Sequence, residues 1–492
     1  MLKYIYQTLR FFRNAFSRNI TWLIFCMMVL GFIGASEMIG VTSFCRFWGL
    51  NTTGYHAFIH FFRASTWSLD KVTEYWNRFV LSQNETVKSN GRVVLQGDHT
   101  YVPKDGRQMP CVATLHQHSE TQSKPSYFRG HCWGAIGMLI GSMASPFCTP
   151  LSLKIHQGLI HVNDGDCSEE SRETLGTRII QMALNFAMKH DVRSVLTLDA
   201  FFPSADVFKL AGSVFSVQHK SPLITLIIRA KKNCVAYFEA QTPEKKGPGR
   251  PPVYGEKVRL LELFDHQHLF SKIECTIYGK VEEILITSLD LLWKPTGGLI
   301  RFVLAITSRG PIVLMCSDLH QDPVMALELY CARVRIETMF DMLKNVMGVF
   351  RYRFWTKGLP RHSRKPRKNK YLTPPMGIDQ KRKVRHCFDA YERFVMIGSI
   401  ALGLLQLISL KYQNSVWREF QGFLRTKSRT LPSERTVKAV IANLLIVDLF
   451  NSAPGAIIRE IQKYRFKKKM FKPGVLPEKR TPDSETALPK LE

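Results

Sequence analysis

The sequence predicts a mixed α/β protein: a central sheet flanked by helices, split by a β-rich insertion and bracketed by helical regions at both ends. Three observations lead there. Apolar runs of strand length end in aspartate at "RVVLQGDHT" and "VRSVLTLDAFF", with a stretch of helix length between them. From residue 258 to 317 apolar and polar residues alternate in short runs, the period of strands. On either side the apolar residues recur at helical spacing.

Residues 1–90 read as helices. Within them "ITWLIFCMMVLGFIGAS" follows Arg10, Arg13 and Arg18, the flanks of a signal anchor. It is at the short end of the spanning range of roughly 17–25 residues, Glu37 follows at once, and there is no small-residue cleavage site. A buried core helix is expected, and "FVMIGSIALGLLQLIS" reads the same way. "GVTSFCRFWGLNTTGYHAFIHFFRAS" resembles a helix-turn-helix, with Asn51 or Thr52 as cap and Tyr55, Phe58 and Phe62 as apolar stripe. DNA reading and plain helix packing both remain open for this pair.

From residue 91 strands are expected. "RVVLQGDHT" carries Asp98 at its C-terminal end, and "MPCVATLHQHS" and "GHCWGAIGMLIGS" read as two more. Residues 168–190 make a helix with acids in its first turn. "VRSVLTLDAFF" places Asp199 at a strand end, residues 205–210 make a short helix, and "PLITLIIRAKKN" is a strand running into a basic turn. The Gly/Pro-rich "TPEKKGPGRPPVYGEKVRL" is a loop. Its GRP core resembles an AT-hook, with a solvated turn as the plainer reading. After the β-rich stretch, "PVMALELYCARVRIETMFDMLKNVMG" reads as one long helix. Residues 361–386 hold ten lysines and arginines against one acid, a basic loop suited to phosphates. Helices fill the rest, up to a basic, disordered tail.

The chain has 492 residues, room for two to four domains, and a net charge of +28. A field of that sign suits a polyanion; nucleic acid comes first, an anionic membrane or a ribosomal neighbour second. The 11 cysteines form no CxxC pair or zinc-site spacing, so they read as reduced thiols of a cytosolic protein. His131 and Cys132 read as packing residues.

The two strand-end aspartates are where chemistry is expected. If their strands are parallel neighbours, Asp98 and Asp199 lie side by side, and a helix can add a third acid. At about 100° per residue, Arg333, Glu337 and Lys344 fall within about 60° of Tyr330 on one stripe. Ile336, Met339, Phe340, Leu343 and Met347 form a separate apolar face. Three converging carboxylates repel, and are tolerable where they hold divalent cations. Oxygen ligands suit Mg²⁺ or Mn²⁺, and two ions about 4 Å apart serve phosphodiester cleavage or strand transfer. Asp318, ending "PIVLMCSD", and Asp341, on the Glu337 face, are rivals for these positions.

Tyr330, Arg333, Glu337 and Lys344 also fill the pattern Y-x2-R-x3-E-x6-K. In this the chain resembles the insertion-sequence-four type of DDE transposase. "GDHT" and "LDAFF" look like that family's two aspartate strand ends, although Ala200-Phe201 replaces the more usual x-Gly-Tyr type. The β-rich insertion, "RAKKN" and "GRPPVYG" are similar too, and the resemblance covers roughly residues 95–348.

The resemblance implies a ribonuclease-H-like catalytic core. In it Asp98, Asp199 and Glu337 bind Mg²⁺ (or Mn²⁺), in two ions. Tyr330, Arg333 and Lys344 contact phosphates beside the scissile bond, and Arg229 and Lys232 touch DNA nearby. Trp293 is a stacking residue or core. The implied activity is cut-and-paste transposition: hydrolysis of the element ends and strand transfer into target DNA. The implied partners are double-stranded DNA (terminal inverted repeats and target) and a second subunit, as a homodimer on DNA. A cytoplasmic, nucleoid-associated protein without a membrane is expected. The expected order is a helical DNA-binding region (1–90), core (91–232), insertion (233–318), final core helix (319–360), basic loop (361–386), helical region (387–470) and tail (471–492). The alternative is a catalytically inactive or domesticated DNA-binding protein of the same fold.

Overall fold

The computed structural model describes residues 1–37, 40–110, 112–116, 126–156, 173–240, 252–361, 377–424 and 430–467. Residues 168–172, the AT-hook-like core at 249–251, the basic run 362–376 and the tail from 471 lie outside them.

The protein is mixed α/β, with one large mixed sheet. Its strands are β1 (Lys88–Ser89), β2 (Arg92–Pro103), β3 (Ala113–His116), β4 (Tyr127–Ile140), β5 (Phe147–Ile155), β6 (Ser194–Leu198), β7 (Phe215–Ser216), β8 (Ser221–Pro222) and β9 (Ile224–Arg229). The insertion adds β10 (Val235–Glu239), β11 (Tyr254–Arg259), β12 (Ser271–Ile277), β13 (Lys280–Trp293), β14 (Gly298–Thr307) and β15 (Gly310–Cys316). The sheet runs β11-β10-β13-β14-β15-β9-β6-β2-β4-β3, with β1 on β2, β12 on β13 and β5 on β4. β7 and β8 pair separately.

Parallel pairing is confined to the centre: Val93 lies opposite Ser194 on β6, and Ser194 opposite Ile224 on β9. β4 is antiparallel to β2, and β5 to β4. The insertion is no separate sheet. β15 pairs antiparallel with β9, Leu314 opposite Arg229, so the insertion extends the central sheet.

β5 goes beyond the sequence reading, because Pro150 cannot donate to a ladder and speaks against a strand. Here the register shifts between Ile136 and Gly137, opposite Pro150, and this irregularity accommodates the ring. The free carbonyl of Pro150 accepts the indole N–H of Trp76 at 2.7 Å, tying the N-terminal helices to the sheet.

The helices are α1 (Leu2–Phe11), α2 (Asn19–Gly34), α3 (Val41–Trp48), α4 (Thr52–Arg63), α5 (Leu69–Leu81), α6 (Leu175–His190), α7 (Ala205–Ala211), α8 (Pro323–Cys331), α9 (Val334–Asp341), α10 (Ile378–Lys411), α11 (Gln413–Glu419), α12 (Glu434–Phe450) and α13 (Ala456–Lys467). The apolar α2 is buried from Thr21 to Gly34 among α3, α10, α12 and α13, as a core helix. Among the described residues α10 alone is long and apolar enough to cross a membrane, and 89% of its apolar window is buried inside the protein. Its apolar surface is covered by protein, as in the core helix of a soluble chain. Arg393 of α10 donates to the carbonyls of Phe62, Ala64 and Trp67, satisfying the C-terminal end of α4. Asn51 is the cap of α4, accepting from the Gly54 amide at 3.2 Å.

Three expectations need correction. The helix expected over 168–190 starts at Leu175, because Thr174 is extended and caps it in a reciprocal box with Thr177. Residues 378–386 of the expected basic loop are the first turns of α10, which opens after Gly377 with Asp379 favourable to its dipole. The single long helix over 323–348 is three pieces: α8, α9 and a π-helical turn over Met342–Val346. At the first junction Gln96 of β2 donates to the Ala332 carbonyl at 2.7 Å. The amides of Arg335 and Ile336 bond three residues back, to Ala332 and Arg333, a 3₁₀-like tightening.

Glu392 of α10 is buried against β5, its Oε1 accepting the Ile155 amide at 3.2 Å. Burial raises its pKa to about 7, against a smaller opposing effect of Lys154. The folded state therefore holds a proton that the unfolded chain releases near pH 4.5, and stability falls as pH rises from there to about 7. Glu392→Gln is expected to abolish this fall, stabilising the protein above pH 7 by roughly 3 kcal/mol at about 1.4 kcal/mol per pKa unit. No gain is expected below pH 4.5. Thermal melts of both proteins across pH 4–8 check this; a constant gap between the two would contradict it.

Candidate active site

Alternation along β2 sends Gln96 and Asp98 to one face of the sheet and Gly97 and His99 to the other. On the second face α6 packs closely. A Cβ on Gly97 would come within 2.6 Å of Ile179 and 2.8 Å of Leu198, so only glycine allows this approach beside Asp98. On the first face lies the α8–α9 junction, where the Gln96 bond to Ala332 fixes the start of α9 above Asp98.

Asp98 is not at a strand end, as the sequence reading had it. β2 continues to Pro103, held by β4, with Asp98 opposite Ala135. What ends near Asp98 is the parallel pairing, whose last pair is Gln96 with Thr197. Asp199 directly follows β6. The two aspartates therefore emerge from neighbouring parallel strands. Each is oriented alike, accepting the next residue's amide at 2.7 Å: His99 for Asp98, Ala200 for Asp199.

Arg333 stands between the acids. Its Nη1 lies 3.1 Å from Asp98 Oδ2, and its Nη2 lies 2.8 Å from Glu337 Oε1 and 3.9 Å from Asp199 Oδ2. Only 11% of the guanidinium side chain is exposed, against 21% for Asp98, 41% for Asp199 and 55% for Glu337. Tyr330, buried, donates to Asp199 Oδ1 at 3.4 Å. Thus Asp98, Asp199, Glu337, Tyr330 and Arg333 are brought together.

Burial raises Asp98 to about 6, with Arg333 and the His99 amide opposing and Asp199 and Glu337 adding to the rise. Burial also works against the Arg333 charge, but Asp98, Asp199, Tyr330 and Glu337 hold its pKa above the usual value. Burial, then Asp199, raises Tyr330 to about 12.

The other expected residues are less central. Arg229 ends β9, exposed, near enough to Tyr330 to act on its ionisation. Lys232 is exposed on the turn after β9. Lys344 lies on the π turn, closed by the Met347 amide on the Met342 carbonyl at 2.9 Å, so the ideal helical wheel does not give its direction. Trp293 is core, buried against Phe208.

Both rival acids are engaged elsewhere. Asp318 pairs with Arg92 at 2.6 Å, at the N-terminal end of β2 and roughly 20 Å from Asp98 at about 3.3 Å per residue. Asp341 accepts from Asn345 at 2.6 Å.

In donor type the three carboxylates fit a hard divalent ion. In spacing they fit Arg333: among the described residues no group of three or more His, Cys, Asp or Glu side chains is placed to hold a metal as it stands.

Sequence reasoning missed Gln96, and also a buried histidine pair beneath Asp98. His99 Nε2 lies 2.9 Å from His156 Nδ1, with Met182 Sδ 3.2 Å from His156 and Phe202 stacked on His99. Burial, then Arg178, lowers His99 to about 4, so the pair is neutral at physiological pH. Gln96 had a signal, a polar residue two before Asp98 on the same strand face. The pair, 57 residues apart on β2 and just after β5, had none.

Comparison with protein-family models and with curated proteins gives no match for this chain.

Proposed function

We propose that this chain is a metal-dependent DNA transposase of the DDE type, with a ribonuclease-H-like core. One observation carries the reading: Asp98 and Asp199, from two neighbouring parallel strands, and Glu337, from α9, converge on a single guanidinium. The mixed order β5-β4-β2-β6-β9, with the first-aspartate strand beside the second, supports the core assignment. The net charge of +28 supports a polyanionic partner.

Asp98, Asp199 and Glu337 would hold Mg²⁺ or Mn²⁺, which supply activation of the attacking oxygen and stabilisation of the leaving one. Arg333 neutralises the acids in the resting protein. When a phosphate of the element end enters, Arg333 turns to it, joined by Tyr330 and Lys344, and the carboxylates are released for the ions. Arg229 and Lys232 extend the contact along the DNA. Asp98, raised to about 6, ionises at physiological pH, as a ligand must. Two subunits on DNA, each taking one element end, complete the assembly.

The test is excision in cells: the gene in its native flanking DNA, wild type against Glu337→Ala, scored for the rejoined empty site. Excision by wild type alone is expected. Excision by both would remove Glu337 from the active site. Excision by neither, together with tight duplex binding, would favour the catalytically inactive relative.

A further inference from the structure

After the π turn comes a 3₁₀ turn over Val349–Arg351, and the chain then runs free of helix through residues 352–356; from Arg351 to Lys357 exposed and buried residues alternate as on a strand. Tyr352 and Phe354 are buried, stacked on Tyr391, while Arg351, Arg353, Trp355 and Lys357 are exposed. Trp355 is 52% exposed, rare for an indole outside an interface.

This face is one wall of a groove of about 930 Å³, and the loop after β2 is the other. Lys104, Arg107, Arg351, Arg353 and Trp355 line it, with Asp105 its only acid among the lining residues. The walls are stitched together. Lys104 is buried, donates to the carbonyls of Phe350 and Tyr352, and sits 3.7 Å over the Tyr352 ring. The Thr356 amide donates to the Gln108 carbonyl at 3.1 Å, and the Gln108 side chain to the Leu359 carbonyl at 2.9 Å. Burial, then Arg353, lowers Lys104 to about 7, which suits a structural donor more than a charge. The groove opens at the C-terminal end of β2, roughly 17 Å along the strand from Asp98 at about 3.3 Å per residue. The wall formed by Arg351, Arg353 and Trp355 continues the polypeptide that carries Glu337.

We infer that this groove binds a single strand of nucleic acid leaving the carboxylate site, with Trp355 stacked on an unpaired base and Arg107, Arg351 and Arg353 on the backbone phosphates. The inference rests on the proposed function for its choice of polyanion. A duplex offers phosphates but no free base face, so a half-exposed indole among arginines selects a single strand. Beyond the 3₁₀ turn, Arg353 and Trp355 are two residues apart on non-helical chain, roughly 6.6 Å at an extended repeat, near the spacing of successive nucleotides along an extended strand.

The test uses the full chain with labelled oligo(dT) of about 20 nucleotides, longer than the usual site size, and a duplex of the same length. Trp355→Ala is expected to weaken oligo(dT) binding about tenfold and duplex binding less than twofold, with Trp355→Phe restoring most of the loss. Arg351→Ala with Arg353→Ala is expected to flatten the salt dependence of oligo(dT) binding. Unchanged oligo(dT) affinity in Trp355→Ala, or an equal loss on duplex, overturns the groove. Metal-dependent nicking by the same preparations reads the transposase proposal separately. Absent nicking with a Trp355-dependent oligo(dT) affinity overturns that proposal and leaves the groove supported.

Discussion

Asp98→Asn, Asp199→Asn and Glu337→Gln, each alone, are expected to slow Mn²⁺-dependent nicking of duplex DNA by purified protein about a thousandfold, ~4 kcal/mol of barrier. In the proposed mechanism the three acids act as one unit, so losing any one should cost nearly as much as losing all. Duplex binding should be retained or tightened, since each change removes a negative charge beside the proposed phosphate path. The rival carboxylates make the comparison specific. Asp341→Asn is expected to leave nicking within about threefold, because Asp341 is bonded to Asn345 instead of Arg333. Asp318→Asn breaks the ion pair with Arg92 at the far end of β2 and should cost stability while sparing the rate. A thousandfold loss in Asp341→Asn with activity kept in Glu337→Gln would reassign the third acid.

Arg333→Ala is expected to destabilise the protein by about 3 kcal/mol in chelator, the range for removing one partner of a buried ion pair. Most of that cost falls on Asp98, the most buried of the three acids. Millimolar Mn²⁺ is then expected to recover much of the lost stability, because the released carboxylates form an oxygen-ligand site. The wild type should respond little to the same ion, its guanidinium already compensating the acids. Arg333→Lys should fall between, since one ammonium cannot span three carboxylates as the planar fork does. Thermal melts with chelator and with Mn²⁺ give the answer. An Arg333→Ala protein indifferent to Mn²⁺ would mean that the three acids make no cation site.

The neighbourhood of Asp98 and Asp199 was legible because it depends on local patterns: two apolar runs, each followed by an aspartate, with a helix among the elements that connect them. Arg333 and Glu337 were legible because four-residue spacing on a helix needs no tertiary information. The extent of β2 beyond Asp98 was not, since that part of the strand is held by β4 alone. The break at Ala332 was hidden for a similar reason. It rests on a bond from Gln96, 236 residues away, that no helical periodicity encodes. Pro150 concealed β5, because the irregularity beside it, which leaves Leu151 unpaired between Pro150 and Ser152, exists only through the pairing with β4. The continuity of insertion and core depends on a single pairing, β15 with β9, which alternation within each strand cannot foretell. The alternation of Tyr352 and Phe354 with Arg351, Arg353 and Trp355 lay in plain view, but the groove needs the loop at Lys104 to exist.

The measurement closest to the central claim, that Arg333 stands in for divalent cations until DNA draws it away, is a calorimetric titration of Mn²⁺ into the full chain with and without duplex DNA. Weak binding to the free protein and much tighter binding with duplex, both abolished in Asp98→Asn, is the predicted result. Identical Mn²⁺ binding by wild type and Asp98→Asn, with duplex present, would contradict it.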